Sequence, residues 1–89
     1  MKVSVRKPSK QELDKMNIKN WGTWGCEVSM FDWEYTDQET CYLFEGQVTV
    51  KTPDGDVSFG AGDVVVFPQG LKCTWVVTKP VRKVYKFGA

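Results

Sequence analysis

The segment GDVVVFPQGLKCTW, Gly62–Trp75, constrains the fold of this chain more than any other. Its continuous apolar run predicts a strand that is buried on both faces. The following Pro68–Gly70 predicts a tight turn, because proline fixes φ and glycine permits a positive φ. A second strand begins after the turn, close to Cys73. The segment therefore predicts two strands joined by a rigid turn, with a thiol at the start of the second strand.

Alternation of apolar and polar residues extends this pattern over most of the chain. The capping box SKQE at Ser9–Glu12 predicts one short helix at about 9–16. From Trp21 the period changes to two, with a one-residue slip near Met30–Phe31 that predicts a bulge or bend. Turns at TDQ, PDG, GAGD, PQG and TKP divide residues 21–87 into seven to nine short strands. The sequence thus predicts one all-β domain, residues 1–89, built as a barrel or sandwich.

Length and charge limit the classes of function. The chain has 89 residues, enough for one modest core, and its formal net charge is +1. A near-neutral balance gives no electrostatic basis for binding nucleic acid or a membrane surface. The N-terminal residues lack the apolar segment of a signal peptide, so a cytoplasmic protein is expected. The 3 cysteines lack C-x-x-C spacing and are predicted to be reduced thiols that pack as small hydrophobic side chains.

The spacing of glycine and proline resembles the second motif of the cupin family of small jelly-roll barrels. That motif is a glycine, five residues, P-x-G, two residues, a histidine, three residues and an asparagine. Gly62, Pro68 and Gly70 match its skeleton, while Cys73 stands at the histidine position and Val77 at the asparagine position. The thiol is thus a substitution where a metal-binding cupin carries a ligand.

The first cupin motif ends in a glutamate followed, after six residues, by a glycine, and Glu39 and Gly46 match it. Where the family carries His-x-His upstream, this chain has Trp33 and Tyr35. Among cupins the chain most resembles the small single-domain group related to the cupin domains of ureidoglycine aminohydrolase and ethanolamine-utilisation protein Q. The resemblance implies a double-stranded β-helix, that is a jelly-roll barrel, with an interior small-molecule pocket and a tendency to form dimers.

No metal cofactor is predicted, although the resemblance implies a bound manganese in aminohydrolase members of the group. The chain contains no histidine. The only substitute set is Asp32, Glu34, Glu39 and Cys73, which combines hard oxygen ligands with a soft thiolate and so is poorly matched to manganese or magnesium. Alternation also places Asp32 and Glu34 outside the barrel.

Alternation further predicts which side chains face the interior. On the last strand the choice lies between Lys83 with Tyr85 and Arg82 with Val84, and burial of the aromatic ring favours the first pair. The predicted catalytic groups are Glu39, Lys83 and Tyr85. The predicted ligand-binding side chains are Trp33, Tyr35, Cys41, Cys73 and Trp75.

The sequence leaves two interpretations of this interior open. A carboxylate and an ammonium group inside a barrel must pair or meet a ligand, so Glu39 and Lys83 could form a purely structural ion pair. Alternatively they belong to an aromatic-walled pocket for a small organic molecule. That pocket could serve a metal-independent enzyme acting on a small nitrogenous or carbonyl metabolite. Glu39 would be its general base, with a pKa raised by the apolar pocket, and Lys83 or Tyr85 would stabilise negative charge. It could equally serve a non-catalytic module that binds a metabolite or sugar.

Two other functions are disfavoured. A nucleophilic Cys73 would need a neighbour to lower the pKa of its thiol, and only Lys83 could do so. An OB-type nucleic-acid barrel using Arg82–Lys86 is disfavoured because alternation divides these basic residues between two faces. Exposed strand edges predict a homodimer. The expected partners are therefore a small-molecule ligand and a second copy of the chain, with neither nucleic acid nor a membrane.

Overall fold

A computed structural model describes residues 2–88 of the chain. These residues form one short α-helix, one 3-10 turn and seven strands. The elements are β1 (Ser4–Arg6), α1 (Lys10–Met16), the 3-10 turn Ile18–Asn20, β2 (Gly22–Cys26), β3 (Ser29–Glu34), β4 (Glu39–Thr52), β5 (Gly55–Gly60), β6 (Val64–Phe67) and β7 (Lys72–Phe87).

The strands form one hydrogen-bonded network in which β4 and β7 serve both halves of a jelly roll. These two strands pair antiparallel along most of their length. The first half has the order β1-β6-β4-β7-β2, while β5 pairs with the second part of β4 and β3 with the first part of β7. The halves face each other across one core, since the ring centroid of Phe67 lies 5.8 Å from that of Phe59 and 5.6 Å from that of Trp75. The predicted all-β jelly-roll barrel with a short N-terminal helix is confirmed.

β7 is continuous through residues 78–80, where the sequence predicted a turn, and β4 is continuous through Gly46. Both positions lie in one irregular stretch, because the pairing shifts register between Leu43 and Val48 of β4. Gly46 has a φ of +116°, and a Cβ atom there would stand 2.8 Å from the Pro80 carbonyl oxygen. The register skips Pro80, as expected for a residue that lacks a backbone N–H to donate. The turn-forming residues therefore mark a bulge shared by two long strands.

The N-terminal helix begins as predicted. The Ser9 side chain accepts a hydrogen bond from the Glu12 backbone N–H, and α1 ends at Asn17, which has a φ of 57°. The Glu12 carboxylate pairs with Arg6 of β1. The sequence did not predict β1, which has three residues and is too short to show alternation; it covers the edge of β6. Within residues 2–88, no helix has the length and apolar composition needed to cross a bilayer.

Alternation correctly predicted the inward residues at the start of β4 and most of those of β7, but Val84, which it turned away from Lys83, is also buried, whereas Tyr85 is half-buried. The buried residues at the start of β4 are Glu39, Cys41 and Leu43, and those of β7 include Cys73, Trp75, Val77 and Lys83. After the bulge in β4 the buried set changes phase, to Val48 and Val50. The bulge explains this change, since one extra residue turns all following side chains to the opposite face.

The phase slip predicted at Met30–Phe31 falls slightly earlier, at residues 27–28, where β2 ends and β3 has not begun. It is a break between two strands and not a bulge within one. Val28 and Met30 are exposed by 62% and 71%, whereas Phe31 packs against the core. The break therefore allows both β2 and β3 to turn aromatic side chains to the same inner face.

Candidate ligand-binding pocket

A cavity of about 240 Å³ opens on the inner face of the barrel, between β2, β3, β4 and β7. Its lining combines seven aromatic rings with one carboxylate and one ammonium group: Trp24, Phe31, Trp33, Tyr35, Trp75, Tyr85, Phe87, Glu39 and Lys83. Aromatic walls with a few convergent polar groups are typical of small-molecule sites, which measure about 300–1,000 Å³ for drug-sized ligands. The cavity has room for a ligand of metabolite size.

The lining divides into an exposed rim and a buried floor. The rim consists of Trp24, Trp33 and Phe87, which are exposed by 37%, 48% and 52%. The floor consists of four residues exposed by 6% or less, namely Tyr35, Glu39, Trp75 and Lys83. The polar groups of the floor are therefore far less exposed than the aromatic side chains of the rim, while Phe31 and Tyr85 have intermediate burial.

Glu39 and Lys83 form a buried ion pair in the floor. The Lys83 ammonium donates a hydrogen bond to Glu39 Oε2 at 2.7 Å, and the two side chains are exposed by only 4% and 6%. The backbone of Lys83 pairs with Leu43 and that of Glu39 with Phe87, so the two side chains extend toward each other along the sheet. The ion pair considered at the sequence level is thus present, and it leaves this part of the floor without net charge.

Three aromatic rings surround the same ammonium group. Lys83 Nζ lies 4.7 Å from the ring centroid of Trp75, 4.9 Å from that of Trp24 and 5.9 Å from that of Tyr85. These distances are within the range of cation–π attraction. β2 provides Trp24 at the position directly paired with Lys83. A positive charge on Nζ is therefore stabilised from several sides.

The remaining polar groups of the floor belong to Tyr35 and Trp75. Burial, followed by the negative charge of the adjacent Glu39 carboxylate, raises the pKa of the Tyr35 hydroxyl far above its usual range. The indole N–H of Trp75 lies near enough to lower the pKa of that hydroxyl, but not in hydrogen-bonding geometry. This N–H is buried and has no hydrogen-bond partner among residues 2–88. The Trp75 N–H is thus a buried donor without a partner, which is unusual in a native protein interior.

Cys41 and Cys73, which were predicted to contact a ligand, lie outside the cavity lining. Cys41 is fully buried in the core, and this burial raises the pKa of its thiol to about 12. Burial, with smaller contributions from the Glu39 and Asp32 carboxylates, raises the pKa of Cys73 to about 11. Alternation indicates which side chains face the interior, but not whether an inward side chain lines the cavity or packs in the core. It therefore could not exclude these two residues. Both thiols are protonated at neutral pH.

The residues considered as a substitute metal set do not converge. Asp32 and Glu34 are exposed on β3, where Asp32 accepts a hydrogen bond from Thr74. Glu39 faces the cavity and is engaged by Lys83. No three His, Cys, Asp or Glu groups within the described residues are placed to hold one metal ion. These side chains therefore do not fit the metal that a resemblance to cupins implies.

Sequence reasoning placed six of the nine lining residues in the interior and missed Trp24, Phe31 and Phe87. Both residues do stand in alternating apolar sets, Trp24 with Cys26 and Phe31 with Trp33. What the sequence could not show is the pairing of both strands with β7, which brings the two rings to Lys83 and Trp75. Phe87 lies at the end of β7, where alternation gives little information.

The strand order, the bulge shared by two long strands and the interior aromatic pocket define a barrel of the cupin type. A family profile described as the EutQ-like cupin domain matches residues 13–85. The crystal structure of a DUF861 family protein from Thermotoga maritima is also similar, with a TM-score of 0.94 and 45% sequence identity over 97% of this chain and 99% of that chain. The chain belongs to the EutQ-like cupin family.

Two further structures share the fold at lower identity. They are the EutQ protein of Clostridium difficile (TM-score 0.69) and a putative ethanolamine utilization protein Q of Salmonella typhimurium (TM-score 0.68), each 23% identical over 74% of this chain. The matched region covers 52% and 54% of those chains, so this chain corresponds to about half of each. At this identity the likeness establishes the fold alone. No curated protein matches the chain significantly.

Proposed function

We propose that the chain binds a small, flat, uncharged organic molecule in the aromatic cavity. The observation that carries the proposal is a buried Glu39–Lys83 pair at the floor of a cavity with seven aromatic walls. A buried ion pair is often no better for stability than apolar side chains of similar volume. Recognition of a ligand accounts for retaining such a pair next to an accessible cavity.

The unused donors of the floor indicate what the ligand offers in return. An ammonium group has three N–H donors, and Lys83 gives one of them to Glu39. A carbonyl oxygen would accept from the remaining Lys83 donors, whereas a carboxylate would bring a second negative charge close to Glu39. Planar ligand atoms would stack on the surrounding rings.

Binding and catalysis make different demands on Glu39. A general base must accept a proton from the substrate, but the Glu39 carboxylate already accepts a hydrogen bond from the Lys83 ammonium. Its engagement favours a binding role over the metal-independent enzyme with Glu39 and Lys83 as catalytic groups. Turnover of a bound compound that is lost in Glu39→Gln, with binding retained, would select the enzyme.

A thermal-shift screen of small neutral carbonyl compounds, amides and sugars tests the proposal. A compound present at 100 times its Kd should stabilise the folded chain by about 2.7 kcal/mol. Trp33 and Trp21 offer matched variants, because Trp33 lies on the rim whereas Trp21 is outside the lining. Trp33→Ala should weaken every hit, and Trp21→Ala should leave the affinity unchanged. Equal effects of both variants, or no hit at all, would contradict the proposal.

As part of the same proposal, two copies of the chain form a homodimer. Within residues 2–88, β2 and β3 each pair on one side only, with β7. Val28 and Met30, which lie at the junction of these strands, are exposed by 62% and 71%. An unpaired strand edge beside exposed apolar side chains favours association with a second copy. Sedimentation of the wild type as a dimer and of Met30→Lys as a monomer is expected.

A further inference from the structure

We infer that the ligand is a small aldehyde or ketone and that Lys83 bonds to its carbonyl carbon as an imine. The inference rests on the proposed binding function and adds a covalent step to it. Three features of the floor carry it: a buried primary amine, a carboxylate in direct contact with that amine, and an aromatic cage around it.

The amine of Lys83 has the burial expected of a nucleophilic lysine. Its side chain is 6% exposed and it lines a cavity that opens past the aromatic rim. Lysines that form Schiff bases commonly lie in apolar pockets that exclude bulk water. By contrast Lys86 of the same strand is exposed, with Nζ 5.3 Å from the Trp21 ring centroid. Lys83 therefore combines access to a ligand with exclusion of bulk water.

The Glu39 carboxylate can carry the proton that imine formation must move. The Lys83 ammonium would first transfer a proton to Glu39 over the 2.7 Å hydrogen bond. The amine lone pair would then form the C–N bond, while the carbonyl π pair moves to oxygen, which takes up the second amine proton. Glu39 would return its proton to the resulting hydroxyl, which leaves as water while the nitrogen lone pair forms the C=N bond. The sum is one carbonyl compound and one ammonium group giving one iminium ion and one water, with no other reagent.

The aromatic cage formed by Trp24, Trp75 and Tyr85 favours the iminium product of this reaction. An iminium nitrogen keeps the positive charge of the original ammonium, so its attraction to Glu39 and to the rings of Trp24 and Trp75 is retained. Exclusion of water protects an imine from hydrolysis. The positive charge thus stays on the Lys83 nitrogen, where Glu39 and the aromatic rings already stabilise it.

Reductive trapping tests the inference on the unmodified chain. The protein is incubated near neutral pH with propanal or benzaldehyde and sodium cyanoborohydride, and the reduced adducts are located by peptide mass spectrometry. Lys83 should be alkylated at least about tenfold faster than Lys86, because a bound carbonyl has a high effective concentration. Lys83→Arg, which keeps a cation beside Glu39, should lose this fast phase and retain the slow modification of exposed lysines.

The outcomes separate this inference from the binding proposal. If Lys83 reacts no faster than Lys86 while the same aldehyde raises the thermal midpoint, the ligand binds without an imine and the inference is overturned. If no carbonyl compound either stabilises the chain or labels Lys83, the inference is wrong and the proposed carbonyl-binding pocket loses its support as well.

Discussion

Removing the Lys83 ammonium while leaving Glu39 in place should destabilise the fold severely and in a pH-dependent way. Lys83→Met keeps most of the side-chain volume but leaves the Glu39 carboxylate, which is 4% exposed, without its cation. Breaking a buried pair in this way typically costs about 3–5 kcal/mol. The upper limit follows from protonation: an ordinary glutamate, of pKa about 4.3, can be neutralised at pH 7 for about 3.7 kcal/mol. The expected loss at pH 7 is therefore about 3–4 kcal/mol, or at least about 12 °C in Tm for a domain of this size.

The sign of the pH dependence follows from the same protonation. A buried carboxylate without a cation is easier to neutralise as the pH falls, so the cost of neutralising it drops to about 1 kcal/mol at pH 5. Lys83→Met should thus recover stability relative to the wild type between pH 7 and pH 5. Glu39→Gln combined with Lys83→Met removes both charges, so the double variant should be more stable than Lys83→Met alone at pH 7.

Urea denaturation of the wild type, Glu39→Gln, Lys83→Met and the double variant gives the coupling energy of the pair. A value of at least about 2 kcal/mol is expected for a desolvated pair, against about 0–1 kcal/mol for an exposed one. The same two strands supply a matched control in Arg82 and Glu45, whose side chains are 3.6 Å apart and exposed by 72% and 59%. A coupling at Glu39–Lys83 as small as at this exposed pair, or a penalty that does not change between pH 7 and pH 5, would refute the reasoning.

Three further predictions concern the cysteines and the bulge. Because the pKa of Cys73 is raised to about 11, iodoacetamide should alkylate it far more slowly at pH 7 than a thiol in a short peptide, and stoichiometric reaction within minutes would contradict this. Folding raises the Cys41 pKa from 9.0 to about 12, so its contribution to stability is retained below pH 9 and lost toward pH 12. The free energy of unfolding should fall by about 1.4 kcal/mol per pH unit in this range. Urea denaturation of Cys41→Ala should not show this fall. Gly46→Ala should cost about 2 kcal/mol or more, since it adds contacts of 2.8 Å with Pro80 and Val81 to an unfavourable φ. Gly55→Ala, where φ is +121° and no atom lies within 4 Å, should cost less, and equal Tm losses would show that crowding is unimportant.

The fold was predictable because its local signals agree with one another. The capping box, the Pro53–Gly55 hairpin and the alternation of β4 and β7 each depend on a few neighbouring residues, and each matches the structure. The errors occur where tertiary pairing overrides a local signal. Pro80 and Gly46 are turn formers in isolation, but pairing of β4 with β7 absorbs them in a bulge.

The sequence predicted which faces of the long strands line the candidate site, but not which residues surround the cavity. Alternation correctly turned Glu39 and Lys83 inward, and the structure then shows them in contact. It could not tell that Cys41 is packed into the core while Trp24, on a strand far away in the sequence, reaches the Lys83 ammonium. Such distances depend on strand register, which periodicity of a single strand does not contain.

The indole N–H signals in a ¹⁵N–¹H correlation spectrum test the central claim, that the aromatic cavity is a ligand site, most directly. Trp75 and Trp33 line the cavity, whereas Trp21 does not. Titration with the strongest compound of the thermal-shift screen should move the Trp75 signal, because the indole ring lines the cavity, and should leave that of Trp21 in place. A compound that stabilises the chain without moving the Trp75 signal, or that moves the Trp21 signal equally, would show that binding occurs elsewhere.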